Sequence, residues 1–336
     1  MRDHRDLMNH WGQGGDDACA PWRRTARSFA AAAECGRLEF PLPGSGATRE
    51  RWAALADLGG EDLSLARLAE GHADATAILA ELGEPAPGPG RRWGVWAANP
   101  PGPNLTASKR KRCWLLQGVK QYCSGARVCT DALVTAVADD GPRLFAVDTE
   151  LLDPNPDSWP ATGMAGSDTL DVGFPGVPAV PVGPPGAYTG RPGFSHGGVG
   201  VAAVWYGGAR AVARALLGAA AKRDVGPHAL AHLGAVDIGL RAARAALERA
   251  AEEIDADPGD ERGGGPLRAL RVRALVEAVA TDVMTRTGRA LGAGPLGHDA
   301  EHSRAVADLT VYLRQHHAES DLARLGELVA GRDSAW

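Results

Sequence analysis

Near the end of the chain, "ADLTVYLRQHHAESDL" (307–322) carries adjacent histidines, His316 and His317, inside a helical pattern. An imidazole changes protonation between about pH 5 and 8, so a histidine facing a pocket can act as a general base or acid. Val306, Leu309, Leu313 and His316 recur at three-or-four spacing, with Tyr312 one turn before His316 and Ser320 one turn after it. That stripe turns His316 inward. His317 is rotated about 100° away and faces solvent or a partner. A helix-end histidine that merely packs is the plainer account.

A second constellation lies in "QGVKQYCSGARVCTDALVTA" (117–136). A strand, a tight turn and a second strand place Tyr122 and Ser124 on one side by the two-residue period. A ring and a hydroxyl shown together suit a flat heterocycle, the ring packing against its face and the hydroxyl bonding its edge. An ordinary cross-strand pair explains the same residues. The third pattern, "GGVGVAA" (197–203), matches G-x-G-x-x-A, but "YTGRPGFSH" before it is no strand, so the dinucleotide fingerprint fails. Small residues at Gly200, Ala203 and Gly207 instead suit close helix packing.

The elements that must position these residues fall into three blocks, predicting an α+β chain with domains over 1–90, 91–190 and 191–336. In the first, "LARLAEGHADATAILAELG" carries the stripe of a half-buried helix, ended by Gly83 and the linker "EPAPGPG". His72 lies on that stripe and reads as a satisfied core residue. The middle block holds "WGVWAA", "CWLLQGVKQYCSG", "DALVTAVA" and "RLFAVD", short runs bounded by Gly, Pro and Asp, the punctuation of strands. The Pro-rich "DVGFPGVPAVPVGPPGAY" belongs at the rim of a small barrel or sandwich. The last block has four helical segments, 199–222, 228–253, 266–289 and 299–329, which pack most economically as an antiparallel bundle.

Composition bounds the function. Of 336 residues 44% are hydrophobic, enough for a sizeable core, and the net charge of −5 has no basic footprint for nucleic acid. "KRKR" (Lys109–Arg112) is an isolated hairpin flank. The start, "MRDHRDLMNHWGQGG", lacks the apolar core of a secretory signal, and Arg210 and Arg214 interrupt the most apolar region. Five cysteines, Cys19, Cys35, Cys113, Cys123 and Cys129, form no CxxC pair, so no metal site is expected and a reduced, cytoplasmic setting is.

The 117–136 segment resembles the middle β-domain of acyl-CoA dehydrogenases, where a "G-x-K-x-W-I-T/S-N-G" pattern carries an aromatic and a hydroxyl that contact FAD. Gly118, Lys120, Tyr122, Ser124 and Gly125 stand on those positions, with Tyr for Trp and Gly for Asn. "GMAGSDTLDVGFPGVPAV" (163–180) resembles the family's later β segment, and "GVAAVWYGGARAVARALL" its first bundle helix. "SRAVADLTVYLRQHHAE" follows the family's C-terminal signature, with Arg304 and Asp308 on its Arg and Asp positions. Eight residues past Asp308, where many members place the catalytic glutamate, stands His316. The resemblance spans about Leu65 to Leu322.

The resemblance implies an N-terminal helical domain, a middle β-barrel or sandwich and a C-terminal antiparallel four-helix bundle. FAD is expected between the last two, with flavin contacts at Tyr122 and Ser124 and further ones at Trp96 and Asn99. His316 takes the acid/base place, and Asp308 orients its helix or Arg304. The family's "T-E-P-x-x-G-S-D" loop becomes "WAANPPGPNL", with Ala98 and Asn99 for Thr and Glu, and "GG-x-GY" is reduced to "GRALGAGPLG" (288–297). The activity implied is oxidation of an acyl thioester or related small molecule at a CH–CH bond. Histidine in the late helix is instead expected of the flavin monooxygenase branch, which works with reduced flavin and dioxygen. The eroded loops also suit a homologue that has lost FAD. A homodimer or homotetramer and an electron-transfer or reductase partner are implied by the same analogy.

Overall fold

The computed structural model describes residues 20–101, 104–111 and 113–331; Cys19, Arg112 and the first fifteen residues lie outside them. Three helices come first: α1 (Pro21–Glu34), α2 (Thr48–Glu61) and α3 (Leu63–Glu81). Asp62 caps α3 by accepting from the Leu65 amide at 3.0 Å, and Gly83, at φ 74°, follows its end. The stripe predicts a half-buried helix, yet 13 of the 19 residues of α3 are buried. Helices pack on it from several sides and β1 from another. His72 is a satisfied core residue, its Nδ1 accepting from the Trp93 amide at 3.2 Å, and burial pushes its pKa down to about 4.

Seven strands follow: β1 (Trp93–Trp96), β2 (Thr106–Arg110), β3 (Cys113–Cys123), β4 (Asp131–Ala138), β5 (Gly141–Asp148), β6 (Asp153–Asn155) and β7 (Leu170–Val182). β4 pairs with β5, with β1 along its first half, and with β2 at Val137. The run β2–β3–β7–β5 returns to β4, so the sheet closes on itself. Inside lie Trp96, Leu116, Phe145, Val172 and Phe174. The Pro-rich segment is not at a rim: β7 pairs with β3 on one side and with β5 and β6 on the other. A bulge at Gly176, φ 85°, shifts the phase so that Pro175 and Pro178 face outward, where a missing N–H is tolerated. Lys109 and Arg110 end β2 and Lys111 sits in the turn to β3, the hairpin flank the sequence implies.

The short α4 (Ala187–Gly190) leads into α5 (Gly193–Lys222), α6 (Gly226–Ala256) and α7 (Gly265–Leu291), then α8 (Gly294–His298), α9 (Ala300–Tyr312) and α10 (Glu319–Ala330). "GGVGVAA" is continuous helix in α5, with no strand or loop before it of the dinucleotide kind. Gly207 is where α5 meets α2 backbone to backbone: a Cβ there would sit 2.0 Å from the Ala56 carbonyl oxygen. Gly59 makes the reciprocal approach to Val204. The expected fourth bundle segment, 299–329, is broken after Tyr312. One core joins the first helices to the last: Phe29, Trp52, Leu55 and Leu68 pack with Val204, Trp205, Val276 and Leu309. Among the described residues no helix is long and apolar enough to cross a membrane.

Candidate functional site

His316 does not stand inside a helix. A single tight turn, 313–315, follows α9; His316 is extended (ψ 127°), and Ala318 takes φ 46° before α10 begins. No Gly or Pro marks the break. Tertiary contacts hold it: Arg273 on α7 donates to the Gln315 carbonyl at 2.9 Å and to the Gly198 carbonyl at 3.0 Å, with its guanidinium 4.7 Å over the Trp205 ring. On the far side, the His317 amide donates to Asp321 Oδ2 at 3.0 Å.

The break leaves His316 4% exposed and His317 with its ring in solvent. Both ring nitrogens of His316 are buried without a hydrogen-bond partner. Its Nε2 lies 3.7 Å from Asp321 Oδ2, too far for a hydrogen bond. Burial lowers the pKa of His316, Asp321 opposing and Arg273 assisting, so the ring is neutral at pH 7.

At the other end, the expected pairing of Tyr122 with Ser124 on one face fails. A register shift between Lys120 and Cys123 and a left-handed Tyr122 (φ 59°) break the two-residue alternation. Tyr122 is 52% exposed while Ser124 is buried. Trp96 lies in the core of the β-sheet ring at 1% exposure, its Nε1 donating to the Ser124 carbonyl at 2.9 Å. It therefore fixes the Ser124 backbone and has no face left for a ligand. Asn99 is also engaged, its Oδ1 accepting at 2.8 Å from the buried Lys120 ammonium, which also donates to Thr135. Burial takes that lysine down to about 8.

Ser124 borders a narrow recess lined by Arg67, Leu68, Gly71, Trp93, Gly94, Val95 and Cys129, with no room for a water-sized group. Two donors in this lining, Arg67 Nε and Trp93 Nε1, are buried with no acceptor. Burial holds the Cys129 thiol up at about 12, so it is no nucleophile at neutral pH.

Between recess and helix break runs a buried polar strip that the sequence reading missed. Arg67 pairs with Glu70, and Tyr312 donates to Glu70 Oε2 at 3.3 Å. Burial pushes the Glu70 carboxyl up, to about 7, Arg67 opposing and Asp74 adding to it. Tyr312 packs edge-on to Trp205, the ring under Arg273. Arg67, Glu70 and Asp74 recur at three-then-four spacing, which on a helix otherwise buried is the one signal that could have exposed them. No hydrogen bond or ion pair among the described residues joins His316 directly to Tyr122 or Ser124; the strip is what lies between.

Asp308 touches neither group. It accepts from the Met164 amide and so clamps the 163–169 loop against α9, where a Cβ on Gly163 would sit 2.1 Å from the Ala307 carbonyl. Burial raises its pKa to about 6. A larger open groove, of about 720 Å³, lies elsewhere, between the α2–α3 junction, the second half of α5 and α8–α9. None of the residues lining the recess lines it.

The polar inventory of the recess can be set against a flavin. Two free N–H donors beside one hydroxyl suit an edge of carbonyl oxygens and ring nitrogens, and Gly94 and Gly125 keep the wall low where a Cβ would collide with Trp96 or with Cys129 and Leu68. The donor set suits such an edge, but the recess is too narrow for even a water-sized group, so in this structure its space does not fit the ring.

No family model matches the chain, and no curated protein does. Solved structures do. A nitrososynthase from Micromonospora carbonacea var. africana is similar at TM-score 0.77 and 22% identity, over 94% of this chain and 93% of that one. TdsC from Paenibacillus sp. A11-2, solved with FMN and indole, matches at TM-score 0.72 and 18% identity over 99% of both chains. A steroid ACAD variant, Tcur3481-Tcur3483, matches at TM-score 0.69 and 22% identity over 92% of both. The chain has the acyl-CoA dehydrogenase fold. Likeness at this level of identity establishes the architecture and leaves the activity to the site.

Proposed function

We propose that the chain is a flavin-dependent oxidoreductase and, within that class, a monooxygenase that takes up reduced flavin and acts with dioxygen on a small organic substrate. The carrying observation is His316. The position where the family's dehydrogenases place a carboxylate base holds a neutral, buried imidazole with both nitrogens free. Such a ring gives one proton and accepts another without becoming a buried charge, whereas α-proton abstraction is served by an anion. TdsC supports the reading as a dibenzothiophene monooxygenase solved with FMN.

The bound flavin supplies the electrons and the reactivity toward dioxygen. The exposed Tyr122 ring would offer the flavin a face to pack on, at the strand end beside Ser124 and outside the closed recess. His316 is the acid/base, kept from solvent by the α9–α10 break. A reductase supplies reduced flavin. FMN satisfies this site as well as FAD, since no contact here needs an adenine. Leu230 and Ile238 on α6 and Leu322 on α10 are exposed, which suits a homo-oligomer. A second reading has one observation behind it: the Glu70 carboxyl, near 7, beside Tyr312. It makes Glu70 the base of an acyl thioester dehydrogenase.

One experiment separates these. Purified protein is loaded anaerobically with reduced FMN and exposed to air, and separately loaded with oxidised flavin and mixed anaerobically with a panel of acyl-CoAs. The proposal expects bound flavin to regain its oxidised visible band more slowly than free flavin, and no acyl-CoA to bleach it. Bleaching, abolished in Glu70→Gln, establishes the dehydrogenase instead. Protein that takes up no flavin in either state rejects both.

A further inference from the structure

Arg273 holds the helix break, yet its charge has no counterpart. The guanidinium donates one bond to the Gly198 carbonyl and one to the Gln315 carbonyl, which uses two of its five N–H groups. The side chain is half-buried, and none of its nitrogens is sealed without a partner, so the N–H groups left over reach solvent. Among the described residues no carboxylate pairs with it.

Arg51 and Arg67, enclosed to a like degree, each hold a carboxylate, Asp74 and Glu70. The carboxylates that act on Arg273 from a distance, Asp321 and Glu70, are engaged elsewhere: Asp321 with the His317 amide, Glu70 with Arg67. Burial lowers the Arg273 pKa as a result, though a guanidinium stays charged. An enclosed cation without a counter-charge is a cost that an arriving anion offsets. The Trp205 ring, 4.7 Å from the guanidinium, and the two carbonyls fix its plane before anything binds. Such a preorganised fork matches a planar carboxylate. One cation with Asp321 near it suits a single negative charge better than a phosphate dianion. The Gln315 carbonyl it holds belongs to the residue before His316, and Arg273 acts on that imidazole electrostatically.

We infer that Arg273 anchors a carboxylate of the substrate, which makes the molecule handled at His316 an organic acid. The inference rests on the proposal that the substrate reacts at His316. The contact itself involves no flavin. Arg273 is then a specificity-determining residue, and the break serves to bring its fork and the imidazole together.

The full chain, isotope-labelled in its histidine rings, is titrated with benzoate, benzamide and inorganic phosphate at constant ionic strength and neutral pH, and followed by NMR. The His316 signals are those missing from His316→Gln. Benzoate is expected to move them saturably. Benzamide, the same shape without the charge, and phosphate are expected to leave them in place. Arg273→Gln should weaken benzoate by about tenfold to a hundredfold, the value of a charge-assisted hydrogen bond. Arg273→Lys keeps the charge without the planar fork and should fall between; it answers the question if the glutamine variant does not fold. Benzoate that leaves the wild-type signals in place, or binds Arg273→Gln as tightly as wild type, overturns the inference and reduces Arg273 to a brace for the break. Phosphate moving the signals in place of benzoate overturns the carboxylate. Benzoate bound through Arg273 by protein that takes up no flavin keeps this site and rejects the oxidoreductase reading.

Discussion

The recess at Ser124 and the break at His316 are built on opposite plans. Around Ser124 the protein's own groups are spoken for: the carbonyl by Trp96, the hydroxyl by Thr169, the loop behind it by Asp308. At His316 the backbone is held, by Arg273 through the Gln315 carbonyl and by Asp321 through the His317 amide, but the ring is not. Its two nitrogens are buried and bare, and the nearest carboxylate, Asp321, stands 3.7 Å off. A buried polar atom without a partner costs about 1–3 kcal/mol, a cost a fold keeps where another molecule completes the bond. The contrast assigns binding to the first end and proton chemistry to the second, with Arg67, Glu70 and Tyr312 as the buried strip between.

The largest effect that could break this contrast is at the bare end. His316→Ala should lower oxygen-dependent turnover by about 10²–10⁴-fold, with the melting temperature not reduced and flavin affinity unchanged. Turnover at the wild-type rate removes the helix break from the chemistry. A loss of flavin affinity of the same size merges the two ends into one.

A smaller effect sharpens the other side, where Asp308 holds the loop. Its folded pKa is raised, from 3.8 to about 6, so the folded chain keeps a proton that the unfolded chain has released. That contribution is fully present below about pH 4 and is lost as pH rises to about 6. Asp308→Asn keeps an acceptor for the Met164 amide and has nothing to titrate. Its stability relative to wild type should rise across that window by about 1–3 kcal/mol and then level off, as urea melts at several pH values will show. A difference independent of pH means the carboxyl is charged throughout and the clamp is an ion–amide bond.

The sequence carried the scaffold well and the site in part. The α3 stripe, the strands punctuated by Gly and Pro, the core role of His72 and the close approach at Gly207 are local signals, readable from period and residue size. What was not readable depended on partners distant in sequence. The break at His316 is held by Arg273 and a left-handed Ala318, in a stretch whose residues are all acceptable in a helix. The bulge at Tyr122 reverses the alternation that had placed it beside Ser124. Trp96, at the end of a four-residue strand, reads equally as a ligand contact or as core until the ring closes around it. Glu70 stands off the apolar stripe of α3 and is nonetheless buried, accepting from Tyr312. The family resemblance led to His316 and Ser124, but the contact between the Ser124 and Thr169 hydroxyls joins residues 45 positions apart in sequence and shows only in three dimensions.

The most direct test of the account is a crystal structure of the chain grown with FMN under reducing conditions. The account predicts the ring against the exposed Tyr122 at the strand end beside Ser124, and the larger groove between α3, α5 and α9 free of flavin. A ring seated in that groove, or Ser124 with no flavin near it, would contradict it.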